Sequence, residues 1–199
     1  MPRSPWVRDP LTDAFYGRST VAVARALLGK LLVHATPEGV TAGRIVETEA
    51  YLRNDPACHA SRGMTPRNAP MFGPAGHAYI YFIYGMYHCF NVVTGPRGVG
   101  EAVLIRALEP VAGIPLMEKR RGTGEIRKLC SGPGKLVLAM GIDKSLNSAD
   151  LRRGALRILS PAPRAARGRI AVTTRVGINV AADAPLRFYL EGNPFISRK

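Results

Sequence analysis

The chain has 199 residues, 46% of them apolar, with 28 Lys and Arg against 14 Asp and Glu. That apolar share excludes disorder along the whole length. No apolar run reaches the roughly 20 residues of a membrane-spanning helix, and the opening MPRSPWVRDPLTDAFYG lacks the apolar centre of a secretory signal peptide.

In chain order, Ser19 or Thr20 is expected to cap a helix with VAVARALL as its body, and Gly29 to stop it. LLVHAT and VTAGRIVETEAY read as two strands joined at Pro37-Glu38-Gly39. Residues 53–77 are turn-rich and carry His59, Arg62 and Arg67; long loops inside compact domains tend to be functional. AYIYFIYG and MYHCFNVVT read as a second hairpin, with Tyr84, Gly85 and Met86 at an aromatic tip. EAVLIRAL is a further strand, and EPVAGIPLMEKRRG a short helix after it. Ser131 is expected to cap a helix over KLVLAMGI, with Pro133 in its first turn. Residues 152–169 read as basic, with Pro161 and Pro163 marking a loop, and RIAVTTRVGI and PLRFYLEG as two late strands. Strands and helices without regular βαβ alternation give an α+β class. The length fits a single domain over residues 1–199, with 1–10 as a loosely ordered arm.

The net charge of +14 is unevenly spread. Residues 119–175 hold 14 basic and three acidic groups, a local excess of +11, whereas residues 1–118 carry only +2. Such a field attracts phosphate backbones, which points to nucleic acid as the partner rather than to a plain solvated face. Cys58, Cys89 and Cys130 are too few and too scattered for a disulfide framework and fit a reducing cytoplasm. The Cys58-His59 and His88-Cys89 pairs lack chelating spacing, because neighbours on extended chain point to opposite sides. No metal is expected.

Four clusters carry possible chemistry. On a strand, Glu47, Glu49 and Tyr51 share one face, about 6.6 Å apart in succession. They form either an exposed polar face or a general base beside an aromatic platform, as hydrolysis of a glycosidic bond requires. Tyr79, Tyr81, Phe82, Tyr84, Tyr87 and Phe90 crowd twelve positions; some pack the core, and others suit base stacking. Tyr84 and Met86 at the tip fit a wedge into a DNA groove. Arg106, in the apolar run VLIRAL, needs a buried partner, with Glu47 or Glu49 the candidates. SGPGKL, with Ser131, Gly132 and Lys135, reads either as a plain helix cap or as a helix start gripping a phosphate.

Taken together, RIVETEAYL, TPRNAPMF, YIYFIYGMYHCFNVVT, VLIRALEP, LCSGPGKL and RVGI followed by PLRFYLEGNPFIS resemble the alkyladenine (3-methyladenine) DNA glycosylase family, in order from about residue 11 to the C-terminus. The resemblance implies a single mixed domain with a curved antiparallel sheet, surrounding helices and a protruding hairpin that inserts into DNA. It implies a monofunctional enzyme, without lyase activity or cofactor, that flips alkylated or deaminated purines out of double-stranded DNA. The enzyme then hydrolyses the N-glycosidic bond, which begins base excision repair. By motif, Glu49 would activate water and Arg106 would hold the water and the carboxylate. Tyr51, His59 and Tyr81 would stack around the extruded base, and Tyr84 would fill the gap it leaves, with Met86 beside it. Asn91 would clash with the exocyclic amine of guanine. From the residues rather than the resemblance, Arg62 and Arg67 of the turn-rich loop and Ser131, Gly132 and Lys135 of SGPGKL are expected at the DNA backbone. No lysine lies in the aromatic blocks between Tyr51 and Asn91, which disfavours a Schiff-base route.

Overall fold

The computed structural model describes residues 9–83, 87–160 and 168–198. The expected hairpin tip, Tyr84 and Met86, and most of the expected N-terminal arm lie outside the described residues. So do Pro161 and Pro163.

After a single turn, α1 (Asp13–Tyr16), the first long helix is α2 (Thr20–Leu27). Ser19 is its N-cap residue through its backbone carbonyl, which accepts from the Val23 N–H at 3.0 Å, and not through its side chain. Strands β1 (Leu31–Thr36) and β2 (Gly39–Tyr51) form the expected hairpin. The loop that follows contains one 3-10 turn, Ala69–Phe72, and leads to β3 (Ala78–Ile83) and β4 (Tyr87–Thr94).

Strand β5 (Glu101–Ala112) runs through Glu109, Pro110, Val111 and Ala112, which the sequence assigned to a helix. The cause is tertiary: β5 pairs β2 as far as Ala42 with Ala112, so the ladder overrides local propensity. Helix α3 starts only at Ile114 and ends at Arg121, and α4 is one turn, Ile126–Leu129. Helix α5 spans Pro133–Met140. Ser131 does not cap it. Gly132 is the N-cap, at a φ of +145° that favours glycine, and Ser131 instead makes a strand-like bridge to Ala107.

Strand β6 (Leu156–Leu159) lies inside the segment read as a basic loop; it was hidden because it is four residues long. The two late strands are shorter than expected, β7 at Ile170–Thr173 and β8 at Arg187–Leu190.

All pairings are antiparallel, in the order β3-β4-β5-β2-β1-β6. Strand β2 is long enough to change partners along one edge: its first half pairs β1, and Glu47 to Glu49 pair β8, which carries β7 outside it. The result is one curled antiparallel sheet with helices, an α+β fold. Strand alternation then sorts side chains between two faces. Ile80, Phe90, Val92, Val103 and Ile105 join Val23, Leu27, Leu136 and Met140 of α2 and α5 in the main core. The residues between them, Tyr79, Tyr81, Val93 and Ala102, face the other way and pack with Cys58, Ala60 and Met71 of the 53–77 loop.

Candidate active site

That second face holds a cavity of about 590 Å³, within the range typical of small-ligand sites. Tyr51 from β2, Tyr79 and Tyr81 from β3, Cys89 and Asn91 from β4, and Leu104 and Arg106 from β5 line it. Each contributes at period two, so the pleat aims them together. Ala57, His59 and Met71 come from the 53–77 loop, Gly132 to Lys135 from the start of α5, and Val176 to Ile178 from the segment before β8.

The aromatic wall is internally bonded. His59 Nδ1 lies 2.9 Å from the Tyr79 hydroxyl, and the His59 ring meets Tyr81 edge-on at 4.4 Å. Burial, and then Arg67, lower the His59 pKa, which keeps the imidazole neutral. Burial pushes the Tyr79 phenol up to about 12, and raises the Tyr51 and Tyr81 phenols and the Cys89 thiol above their ordinary values. These groups stay protonated and act as donors or stacking surfaces. Asn91 is buried and donates through Nδ2 to the Tyr79 carbonyl at 3.0 Å, which fixes its amide at the wall.

Behind this wall sit two carboxylates with different surroundings. Glu49 has no exposed surface. Its Oε1 meets Arg106 Nη1 at 3.2 Å and accepts the Val176 N–H at 2.8 Å, and its Oε2 accepts the Tyr51 hydroxyl at 2.9 Å. All three partners line the cavity, so Glu49 stands one layer behind the lining. Glu47, also without exposed surface, is fully occupied: Oε1 accepts Arg106 Nε at 3.1 Å, Arg187 Nε at 2.8 Å and Ser197 Oγ at 2.8 Å, while Oε2 accepts the Ser197 N–H at 2.6 Å. Arg106 therefore pairs with both acids, not one. Burial opposes its charge, but Glu49 and Glu47 outweigh that and raise its pKa above the ordinary value.

The family model described as methylpurine-DNA glycosylase matches residues 14–194. The chain belongs to the methylpurine-DNA glycosylase family. Similar proteins agree. A protein of Methanoculleus marisnigri is 60% identical over 95% of this chain and 99% of its own length. One of Carboxydothermus hydrogenoformans is 52% identical over 95% and 99%, and one of Mesorhizobium japonicum 46% over 97% and 90%. All three carry the name "Putative 3-methyladenine DNA glycosylase". Membership supports DNA glycosylase activity, the hydrolysis of an N-glycosyl bond in DNA.

For a glycosylase the remaining expected positions fall as follows. Gly132 and Lys135 reach the cavity, whereas Ser131 is not part of its lining. Arg62 and Arg67 are exposed on the loop, and Arg67 Nη2 donates to the Phe82 carbonyl at 2.9 Å, next to the hairpin. The basic segment 119–175 is less free than its count suggests: Arg120 pairs with Glu38, Lys128 with Glu125, Arg152 and Arg153 with Asp150, and Arg175 with Asp55. Among the described residues, no three His, Cys, Asp or Glu side chains group as a metal site would require, and no helix is long and apolar enough to cross a membrane.

Sequence reasoning missed Arg175, Asp55, Arg187, Ser197 and the Val176 N–H. Arg187 carried the same signal as Arg106, an arginine inside an apolar strand, in PLRFYL. The others had none, because a backbone donor and long-range partners leave no local pattern.

Proposed function

We propose that the chain is a monofunctional glycosylase that seats a flipped-out alkylated or deaminated purine in the aromatic cavity and hydrolyses its N-glycosidic bond with Glu49. A base inside a duplex hides its sugar C1′ carbon, so extrusion comes first. Flipping costs a few kcal/mol, and each base–aromatic stack returns about 1–3 kcal/mol. Tyr51, His59 and Tyr81 supply the stacking surfaces, and Asn91 the group that turns away the guanine amine.

The observation that carries this reading is the held carboxylate of Glu49 immediately behind the aromatic wall. An ionised carboxylate has about four acceptor positions. The Val176 N–H takes one on Oε1 and the Tyr51 hydroxyl one on Oε2, Arg106 lies against Oε1 as an ion pair at 3.2 Å, and the free position on Oε2 would orient the attacking water. As the bond breaks, positive charge grows at the sugar; a nearby anion stabilises it while the water adds. Glu49 has no exposed surface, so that water enters only once the seated base has opened a path through the lining. Where the Tyr79 hydroxyl donates to His59 Nδ1, the ring proton stands on Nε2, and a neutral His59 then offers one donor to the base. Alkylated purines leave as good leaving groups; hypoxanthine, being neutral, relies on such a donor.

The absence of lyase chemistry rests on the lysines. Lys135 reaches the cavity but is exposed, whereas a Schiff-base lysine is activated by desolvation or a neighbouring cation.

Base release from duplexes bearing 3-methyladenine, 7-methylguanine, hypoxanthine or ethenoadenine tests the proposal, with wild type and Glu49→Gln side by side. Release should vanish in the variant while binding to the damaged duplex stays near wild type, and borohydride should trap no covalent adduct in either. Unchanged release by Glu49→Gln would remove Glu49 from the chemistry.

A further inference from the structure

Arg175 is an unexplained feature of the site. Its side chain has no exposed surface, yet it carries a charge, and its Nε has no hydrogen-bond partner among the described residues. Its Nη1 binds Asp55 Oδ2 and the Ala50 carbonyl, the latter at 3.2 Å. Its Nη2 binds Asp55 Oδ1 at 3.0 Å and the Ala181 carbonyl at 3.4 Å. The guanidinium also lies over the Tyr51 ring, 4.8 Å from its centre. A buried ion pair of this kind is seldom more stable than apolar residues of the same volume, so stability alone does not account for it.

Its position does. The guanidinium joins three pieces of chain that each form part of the cavity wall: the end of β2 with Tyr51, the 53–77 loop, and the segment before β8. Asp55 Oδ1 also accepts the Ala57 N–H at 3.0 Å, and its carbonyl accepts the Cys58 N–H at 2.8 Å, so the same acid shapes the turn that presents His59. On the other side, the residue after Arg175 supplies the Val176 N–H that holds Glu49 Oε1.

We propose that the Arg175–Asp55 pair is a positioning device for base release, fixing the Val176 N–H and the Tyr51 ring against Glu49. The proposal rests on the reading of Glu49 given above. Arg175 touches neither substrate nor water in this account; it acts through Val176 and Tyr51. Displacement of a reacting group by about 1 Å can lower a rate by about 100-fold.

The test uses the full chain with Arg175→Lys and with the double variant Arg175→Met/Asp55→Leu. The double variant removes both charges and leaves no unpaired ion, but the Ala50 and Ala181 carbonyls and the Ala57 N–H lose these partners, so its midpoint should fall below wild type and circular dichroism establishes that it folds before release is measured. Lysine keeps the charge but lacks the fork that spans four acceptors. Two readouts are taken: single-turnover release from a 3-methyladenine duplex, and the chemical shift and hydrogen exchange of the Val176 amide by NMR. In the double variant release should fall about 10–100-fold, and the Val176 proton should lose the shift and protection of a bond to a carboxylate. Arg175→Lys should fall in the same direction. Release within about twofold of wild type in the folded double variant, or an unchanged Val176 amide, would overturn the proposal. Wild-type release by Glu49→Gln would instead sink the reading of Glu49, while the Val176 amide would still report whether Arg175 positions it.

Discussion

Replacing Glu47 by glutamine keeps the shape of the side chain and removes one charge. In the folded protein that charge serves two buried arginines. The ion pair of Arg187 is to Glu47, at 2.8 Å, and Arg106 divides its guanidinium between Glu47 and Glu49. The side chains of Arg106 and Arg187 are 8% and 5% exposed, so water cannot take over the lost interaction. Removing one partner of a buried pair costs about 3–5 kcal/mol, because the other ion is left uncompensated. For a domain of this length, about 1 kcal/mol moves the thermal midpoint by roughly 2–4 °C, so Glu47→Gln should lower Tm by roughly 6–20 °C. Thermal and urea unfolding followed by circular dichroism measure this directly. The loss should persist in about 1 M salt, since buried pairs are poorly screened. Base release should drop as well, because Arg106 loses the anchor at Nε that keeps its Nη1 on Glu49. A stability loss under about 1 kcal/mol, the size of a surface ion pair, would refute the view that Glu47 organises the cluster.

Two further outcomes follow from other parts of the site. Because burial lowers the His59 pKa, the unfolded chain binds more protons at this residue as pH falls through its ordinary range. The contribution of His59 to stability is complete above that range and is lost toward the lowered folded value. Denaturant titrations across this acid-side window should show stability rising with pH, and His59→Gln should flatten that slope; an identical slope in the variant would show that another group causes it. At Gly100, φ is +74°, and an added Cβ would lie 2.7 Å from the Phe72 ring and 2.8 Å from Ala60 Cβ. Gly100→Ala should therefore cost about 1–3 kcal/mol by overpacking beneath the 53–77 loop and reduce base release by displacing His59; urea unfolding that matches wild type would contradict the packing described.

The sequence alone determined most of the sheet, because its signals are local. Alternation in RIVETEAY put Glu47, Glu49 and Tyr51 on one face of a strand, while AYIYFIYG and VLIRAL marked two more strands without telling which of their residues face the core. The need of Arg106 for an acid was likewise legible, since an apolar run around a charge demands one. Tertiary structure decided the rest. Pairing with β2 carried β5 on to Ala112 against its local preference, and a separate bridge holds Ser131 to Ala107 of β5 while Gly132 takes the N-cap of α5. The distinct roles of the two acids also arose only in three dimensions: β8 and the C-terminal segment bring Arg187 and Ser197 to Glu47, while the segment before β8 brings a backbone N–H to Glu49. Contacts made across more than a hundred residues, like that of Arg175 with Asp55, leave no spacing to read, because chain closure and not local periodicity brings them together.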